Sequence, residues 1–156
     1  MDILLWRHAE AEDHAVGLND LDRQLTSKGH RQAESMARWL RRNGPQAPRI
    51  LVSPAHRTQQ TIQPLGLTWQ TVAEIAPEAS VANVLKAAGW AERTRCEDSV
   101  LIVGHQPTLG RVAAYLLTGK EAPWAIKKGA LWWLSHRVRA GHGETILKCV
   151  LPAELA

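Results

Sequence analysis

Three short apolar runs, Ile3-Leu4-Leu5-Trp6, Ile50-Leu51-Val52 and Val100-Leu101-Ile102-Val103, restrict the folds open to this chain. Each is continuous rather than alternating, as expected of strands buried on both faces. The stretches between them carry helical spacing. Ala33, Met36, Ala37 and Leu40 form one stripe behind Thr26, a predicted N-cap, and Asn43-Gly44-Pro45 ends that helix. Ser53-Pro54 is expected to open a second helix, with Ser53 as N-cap and Pro54 in the first turn. Ser80 is predicted to cap a third, with Val81, Val84, Leu85 and Ala88 on one face and Gly89 beyond it. A fourth follows Gly104-His105-Gln106-Pro107, aligns Leu109, Val112, Ala113 and Leu116, and stops before Gly119.

A weaker strand is expected near 70–73, and two more at 130–135 and 144–150. The turn Ala140-Gly141-His142-Gly143 between the last two is short enough to make them antiparallel neighbours. Alternating strands and helices followed by a hairpin give the expected fold class. It is α/β, a three-layer sandwich with a mostly parallel central sheet, helices on both faces and a C-terminal antiparallel hairpin. With 156 residues and no repeat, low-complexity tract or linker, a single domain over 1–156 is expected.

Composition narrows the function classes. Hydrophobic residues at 45% and charged residues at 22% mark a globular chain rather than a disordered one. No apolar run approaches the roughly 18 residues that cross a bilayer, and the N-terminus lacks the regions of a signal peptide. The cytoplasm is the expected compartment. Cys96 and Cys149 match neither a metal motif nor a disulfide framework and read as free thiols. A net charge of +4 suits an anionic substrate. It would also suit nucleic acid, but no long Lys/Arg block or binding motif accompanies it. His14, His30, His56, His136 and His142 show no metal spacing and read as surface residues.

Ligands of open α/β sheets gather at the carboxyl ends of the strands. Arg7-His8 follow the first strand, Arg57 sits on the first turn after the second apolar run, and His105 follows the strand ending at Val103. If those strands are parallel, two arginines and two histidines converge on one edge. Guanidinium forks and helix N-termini match phosphoryl oxygens, and phosphoryl transfer by positioning and charge neutralisation requires no metal from such a set. A neutral imidazole can attack phosphorus directly. The polar loop 9–25, which contains Arg23, is long enough to be functional. An antiparallel strand from 130 would also bring Lys127, Lys128 and Gly129 to this edge, the lysines attracting an anionic partner.

Arg7-His8, Arg57 and Gly104-His105, in that order, resemble the signature of the histidine phosphatase superfamily, the phosphoglycerate-mutase-like enzymes. Asp22-Arg23-Gln24-Leu25-Thr26-Ser27-Lys28-Gly29 is similar to the D-R-P-L-T-x-x-G segment of the small SixA-type phosphohistidine phosphatases, with Gln24 where Pro is usual. Leu51-Val52-Ser53-Pro54 with Arg57-Thr58-Gln59-Gln60-Thr61 is similar to a second element of that group. The resemblance implies that His8 is the phosphorylated nucleophile, Arg7 and Arg57 the arginine clamp, and His105 the histidine that stabilises the transferring group. It places Arg23 and Glu78 as substrate-binding residues, with Glu78 the candidate general acid, and the antiparallel strand expected from 130 adds Lys128 to them. The 41 residues between Arg57 and Ser99 leave little room for the lid of the larger relatives, so a bulky substrate would fit.

The expected activity is metal-independent hydrolysis of protein phosphohistidine, with no cofactor, inorganic phosphate as product and a phosphorylated protein as partner. The chain is expected to act as a monomer, without nucleic acid or membrane. Two alternatives stand beside it: a phosphatase of small phosphomonoesters such as sugar phosphates, and a non-catalytic phosphate-binding adaptor.

Overall fold

The computed structural model describes residues 1–90, 99–139 and 142–156. Cys96 and the turn residues Ala140 and Gly141 lie outside the described residues. The described elements run β1 (Asp2–Arg7), α1 (Ser27–Asn43), β2 (Arg49–Val52), α2 (His56–Ile62), β3 (Gln70–Thr71), α3 (Val81–Ala87), β4 (Ser99–Gly104), α4 (Thr108–Thr118), β5 (Leu131–Arg139) and β6 (His142–Leu151). The six strands form one mixed sheet in the order β3-β2-β4-β1-β5-β6. β1, β2 and β3 are parallel with β4, while β5 and β6 run antiparallel to their neighbours.

The continuous apolar runs divide between two faces. Ile3, Leu5, Leu51, Val100 and Ile102 pack with α3 and α4 residues such as Val84, Leu85, Val112 and Leu116. Leu4, Trp6, Ile50, Val52, Leu101 and Val103 pack on the other face with Met36, Ala37 and Leu40 of α1 and Ile62 of α2. This is the period-2 alternation of a strand covered on both sides. Each such side chain contributes about 1.5–3 kcal/mol on burial. The helices thus form outer layers on both faces, giving the expected three-layer α/β sandwich.

Register decides where the site can be. Arg7 pairs with Gly104, Val52 with Val103, and Trp6 with Leu131. The residues after β1, β2 and β4 and those before β5 therefore share one edge.

Thr26 and Ser80 cap as expected, their hydroxyls accepting from the Gly29 and Asn83 amides at 3.0 and 3.1 Å. Ser53 does not. α2 starts at His56 behind Ala55, with no side-chain cap, because Ser53 is still tied to the sheet. Its amide donates to the Val103 carbonyl at 3.1 Å, and its hydroxyl is engaged by His105. The strand expected at 70–73 shortens to Gln70–Thr71, and Ala73–Ile75 turns helically instead. The two hairpin strands are longer than expected and bulge between Trp133 and Leu134. His136 corrects the surface reading of the spare histidines. It is buried, packs edge-on against Trp90 at 4.9 Å and shares a 3.1 Å hydrogen bond with Thr145.

Candidate active site

At that edge lies a cleft of about 350 Å³ lined by Arg7, His8, Arg23, Arg57, Glu78, His105 and Lys128, together with Asp20 and Gln106. All seven side chains singled out in the sequence meet there. Lys127 is exposed and does not line it. Gly129 lies just behind the wall, with φ of 74°, and its amide donates to the His8 carbonyl at 3.0 Å. That left-handed backbone is open to glycine at little cost.

His8 is held from several sides. Its amide donates to the Gly104 carbonyl at 3.1 Å, and Ala9 donates to Thr61 Oγ1 at 3.0 Å. The His8 Nδ1 lies 2.7 Å from the Ala9 carbonyl. A carbonyl only accepts, so Nδ1 carries the proton and Nε2 the lone pair. Burial pushes the His8 imidazole down from 6.5 to about 3. The bond to Ala9 opposes this, and the cationic Arg57, Arg7 and Arg23 reinforce it. At neutral pH His8 is an uncharged ring with an available Nε2.

His105 stands beside it, ring centroids 5.3 Å apart. Its Nε2 shares a 2.7 Å hydrogen bond with the Ser53 hydroxyl. Burial also lowers His105 to about 3, and His8 and Arg57 push the same way. Arg7 donates to the Ile126 carbonyl at 2.7 Å. Arg57 donates through Nη1 to the Asp20 carbonyl at 2.6 Å and through Nη2 to the Asp20 carboxylate at 2.8 Å. Three buried nitrogens, Arg7 Nε, Arg57 Nε and His105 Nδ1, have no hydrogen-bond partner among the described residues. A buried donor left so costs about 1–3 kcal/mol. All three belong to residues lining this cleft. An oxyanion in the cleft is the kind of acceptor that satisfies the two guanidinium N–H groups, and His105 Nδ1 in the tautomer that carries its proton there.

The short motifs acquire physical reasons. On α2, Arg57 enters the cleft, Gln60 accepts from the Leu25 amide at 2.8 Å, and Thr61 accepts from Ala9. One helix face therefore carries the guanidinium and braces two neighbouring loops. In α1, Gly29 admits the backbone after His8: a Cβ there would meet the Glu10 carbonyl oxygen at 1.9 Å. Glu78 sits in the left-handed region at φ 67°, unusual for a residue with a Cβ.

Residues 3–80 match the family model of the histidine phosphatase superfamily, branch 1. The phosphohistidine phosphatase SixA of Escherichia coli is 31% identical over 128 residues, covering 79% of this chain and 78% of that protein. The chain belongs to the histidine phosphatase superfamily. This histidine phosphatase also superimposes on the solved structure of the protein histidine phosphatase SixA complexed with tungstate. The TM-score is 0.80, at 26% identity, over 98% of this chain and 97% of that one. The mycobacterial glucosyl-3-phosphoglycerate phosphatase, solved with inorganic phosphate, shares the fold at a TM-score of 0.75 and 14% identity, covering 99% of both chains.

Asp20 is the lining residue that sequence reasoning missed. It sat among several acidic residues of the loop 9–25, and only the fold shows which of them reaches the arginines.

The two depressed imidazoles give this phosphatase a definite acid response. In the unfolded chain they titrate near 6.5, and in the folded chain near 3. Between these values the unfolded state binds more protons. Stability therefore falls as pH drops through 6.5, by about 1.4 kcal/mol per pH unit for each imidazole. Urea unfolding at about pH 7 and about pH 5 should show the midpoint falling. An unchanged midpoint would mean that both rings titrate normally when folded.

Proposed function

We propose that this protein is a metal-independent phosphohistidine phosphatase of the SixA type, acting through a phosphoenzyme on His8. The observation that carries the reading is the uncharged His8, its Nε2 lone pair available among Arg7, Arg23 and Arg57. In this mechanism Nε2 attacks phosphorus in line as the P–N bond of the substrate breaks. The electron pair of that bond leaves with a ring already protonated on its other nitrogen, which departs as neutral imidazole. Water then attacks the phosphohistidine at residue 8, releasing inorganic phosphate and restoring the imidazole. Arg7 and Arg57 neutralise the equatorial oxygens and the uncharged His105 binds beside them, with Arg23 and Lys128 nearer the mouth. The cationic lining disfavours a divalent ion at the reacting centre, so EDTA should leave turnover unchanged.

The substrate class is supported by access. Between Arg57 and Ser99, among the described residues, only Pro77 and Glu78 line the cleft. A phosphohistidine on a protein surface can approach such an open mouth. Similarity to a protein named for phosphohistidine hydrolysis agrees with this. An imidazole leaves readily, whereas an alkoxide requires a delivered proton. Glu78 also lines the cleft, which favours a second reading in which its carboxyl protonates the alcohol of a small phosphomonoester.

Turnover of a phosphohistidine-bearing protein domain against sugar phosphates separates the two. A kcat/KM at least about tenfold higher for the domain, worth about 1.4 kcal/mol in the transition state, is expected. Preference for the sugar phosphates would reverse the assignment, and failure to form a phosphoenzyme with either would leave a binding adaptor.

A further inference from the structure

Two carboxylates line the cleft, Glu78 and Asp20, and both oxygens of Asp20 are engaged by arginine. Asp20 Oδ1 accepts from Arg23 Nε at 3.0 Å, and Oδ2 accepts from Arg57 Nη2 at 2.8 Å. The Asp20 main-chain carbonyl takes Arg57 Nη1 at 2.6 Å. The outer edge of the Arg57 guanidinium is thus fully occupied by a single residue. The opposite edge, carrying Nε–H and the second Nη2 proton, remains, and Nε is the nitrogen with no protein partner. Arg57 is 3% exposed, whereas Asp20 is 44% exposed. The loop residue therefore reaches in to the arginine. Asn19 fixes the loop there by accepting from the Leu21 amide at 3.1 Å, and Arg23 ties it to the Glu12 carbonyl at 2.9 Å.

We propose that Asp20 is a positioning residue of the arginine clamp, locking Arg57 and Arg23 so that the Nε edge of Arg57 faces the phosphoryl group. This rests on the phosphatase reading of the cleft. Asp20 does not serve as a proton donor. Burial raises its carboxyl, but the hydrogen bond and charge of Arg57, with those of Arg23, outweigh burial and hold it below the ordinary aspartate value. It stays ionised, and an ionised carboxylate beside a bound phosphate opposes that anion. Asp20 therefore orients the clamp for the transition state while weakening the grip on ground-state phosphate, which favours product release.

These two effects have opposite signs, which a merely structural residue would not produce. For Asp20→Ala, kcat should fall about tenfold to a hundredfold as Arg57 loses its orientation. Inorganic phosphate, measured by calorimetry, should bind about threefold to tenfold more tightly as the repelling charge is removed. Asp20→Asn keeps an acceptor for Arg57 without the charge. It should recover much of kcat while retaining the tighter phosphate binding. The proposal is overturned if Asp20→Ala leaves both quantities unchanged, or weakens both together. Calorimetry and the Arg57 Nε–H resonance need no turnover. If the wild-type protein hydrolyses no phosphorylated substrate yet phosphate affinity and that resonance respond to Asp20, the phosphatase reading fails and the positioning of Arg57 stands.

Discussion

His8→Ala should lower turnover by about 10⁴-fold or more while the protein still folds and still binds phosphate. In the proposed mechanism, removing the ring takes away the Nε2 that forms the P–N bond of the intermediate, and no arginine of the cleft can replace a neutral nitrogen nucleophile. His105 is a neighbouring imidazole, but its Nε2 is occupied by Ser53. The fold should survive because His8 is held chiefly through its backbone, to Gly104 and Gly129. Burial of its ring is also a cost to the charged state rather than a source of cohesion. The measurement is steady-state turnover alongside circular dichroism, calorimetry with phosphate, and acid-labile trapping of labelled phosphate. Wild-type protein should carry the label at residue 8. Substantial turnover by the alanine variant would remove His8 as the nucleophile.

Arg57→Ala should cost about 10³-fold in kcat/KM, for two reasons that add. The transferring group loses a buried guanidinium whose Nε–H has no competing protein acceptor. The Asp20 carboxylate, deprived of its Oδ2 bond to Arg57, also keeps only Arg23 as a partner and becomes an under-compensated negative charge in the cleft. The second reason makes the double variant informative. Arg57→Ala with Asp20→Ala should be more active than Arg57→Ala alone, by about tenfold, although each single substitution is harmful. Arg57→Lys should rescue little, since a point charge cannot satisfy Asp20 and a phosphoryl oxygen with one planar fork. A double variant that is additive or worse would show that Asp20 and Arg57 act separately.

Much of the fold was legible because its signals are local. Continuous apolar runs marked the buried strands, and the stripe from Ala33 to Leu40 marked α1. Parallel topology then carried Arg7, His8, Arg57 and His105 to one edge. What remained hidden depends on long-range partners. Ser53 has the composition of an N-cap, but its hydroxyl belongs to His105, 52 positions away, so α2 begins later. His136 looked like any polar residue on a terminal strand until Trp90 was packed on it. Asp20 could not be told from Asp13 or Asp22 by type or spacing, because the loop's path to Arg57 is fixed by bonds from Gln60 and Arg23. The left-handed backbone of Glu78 likewise has no mark in the residue itself.

Arg7 finds its carbonyl at Ile126, 119 positions on, and Trp6, immediately before it, donates to Gly129, 123 positions on. The segment that completes the wall around the first strand is thus synthesised more than a hundred residues after that strand. During synthesis, residues 3–80, which match the family model, emerge while Arg7 has no anchor and the His8 carbonyl no Gly129 amide. A nascent or truncated chain ending before residue 129 therefore carries His8 without these anchors of the cleft wall, and the proposed phosphate chemistry waits on residues 126–129.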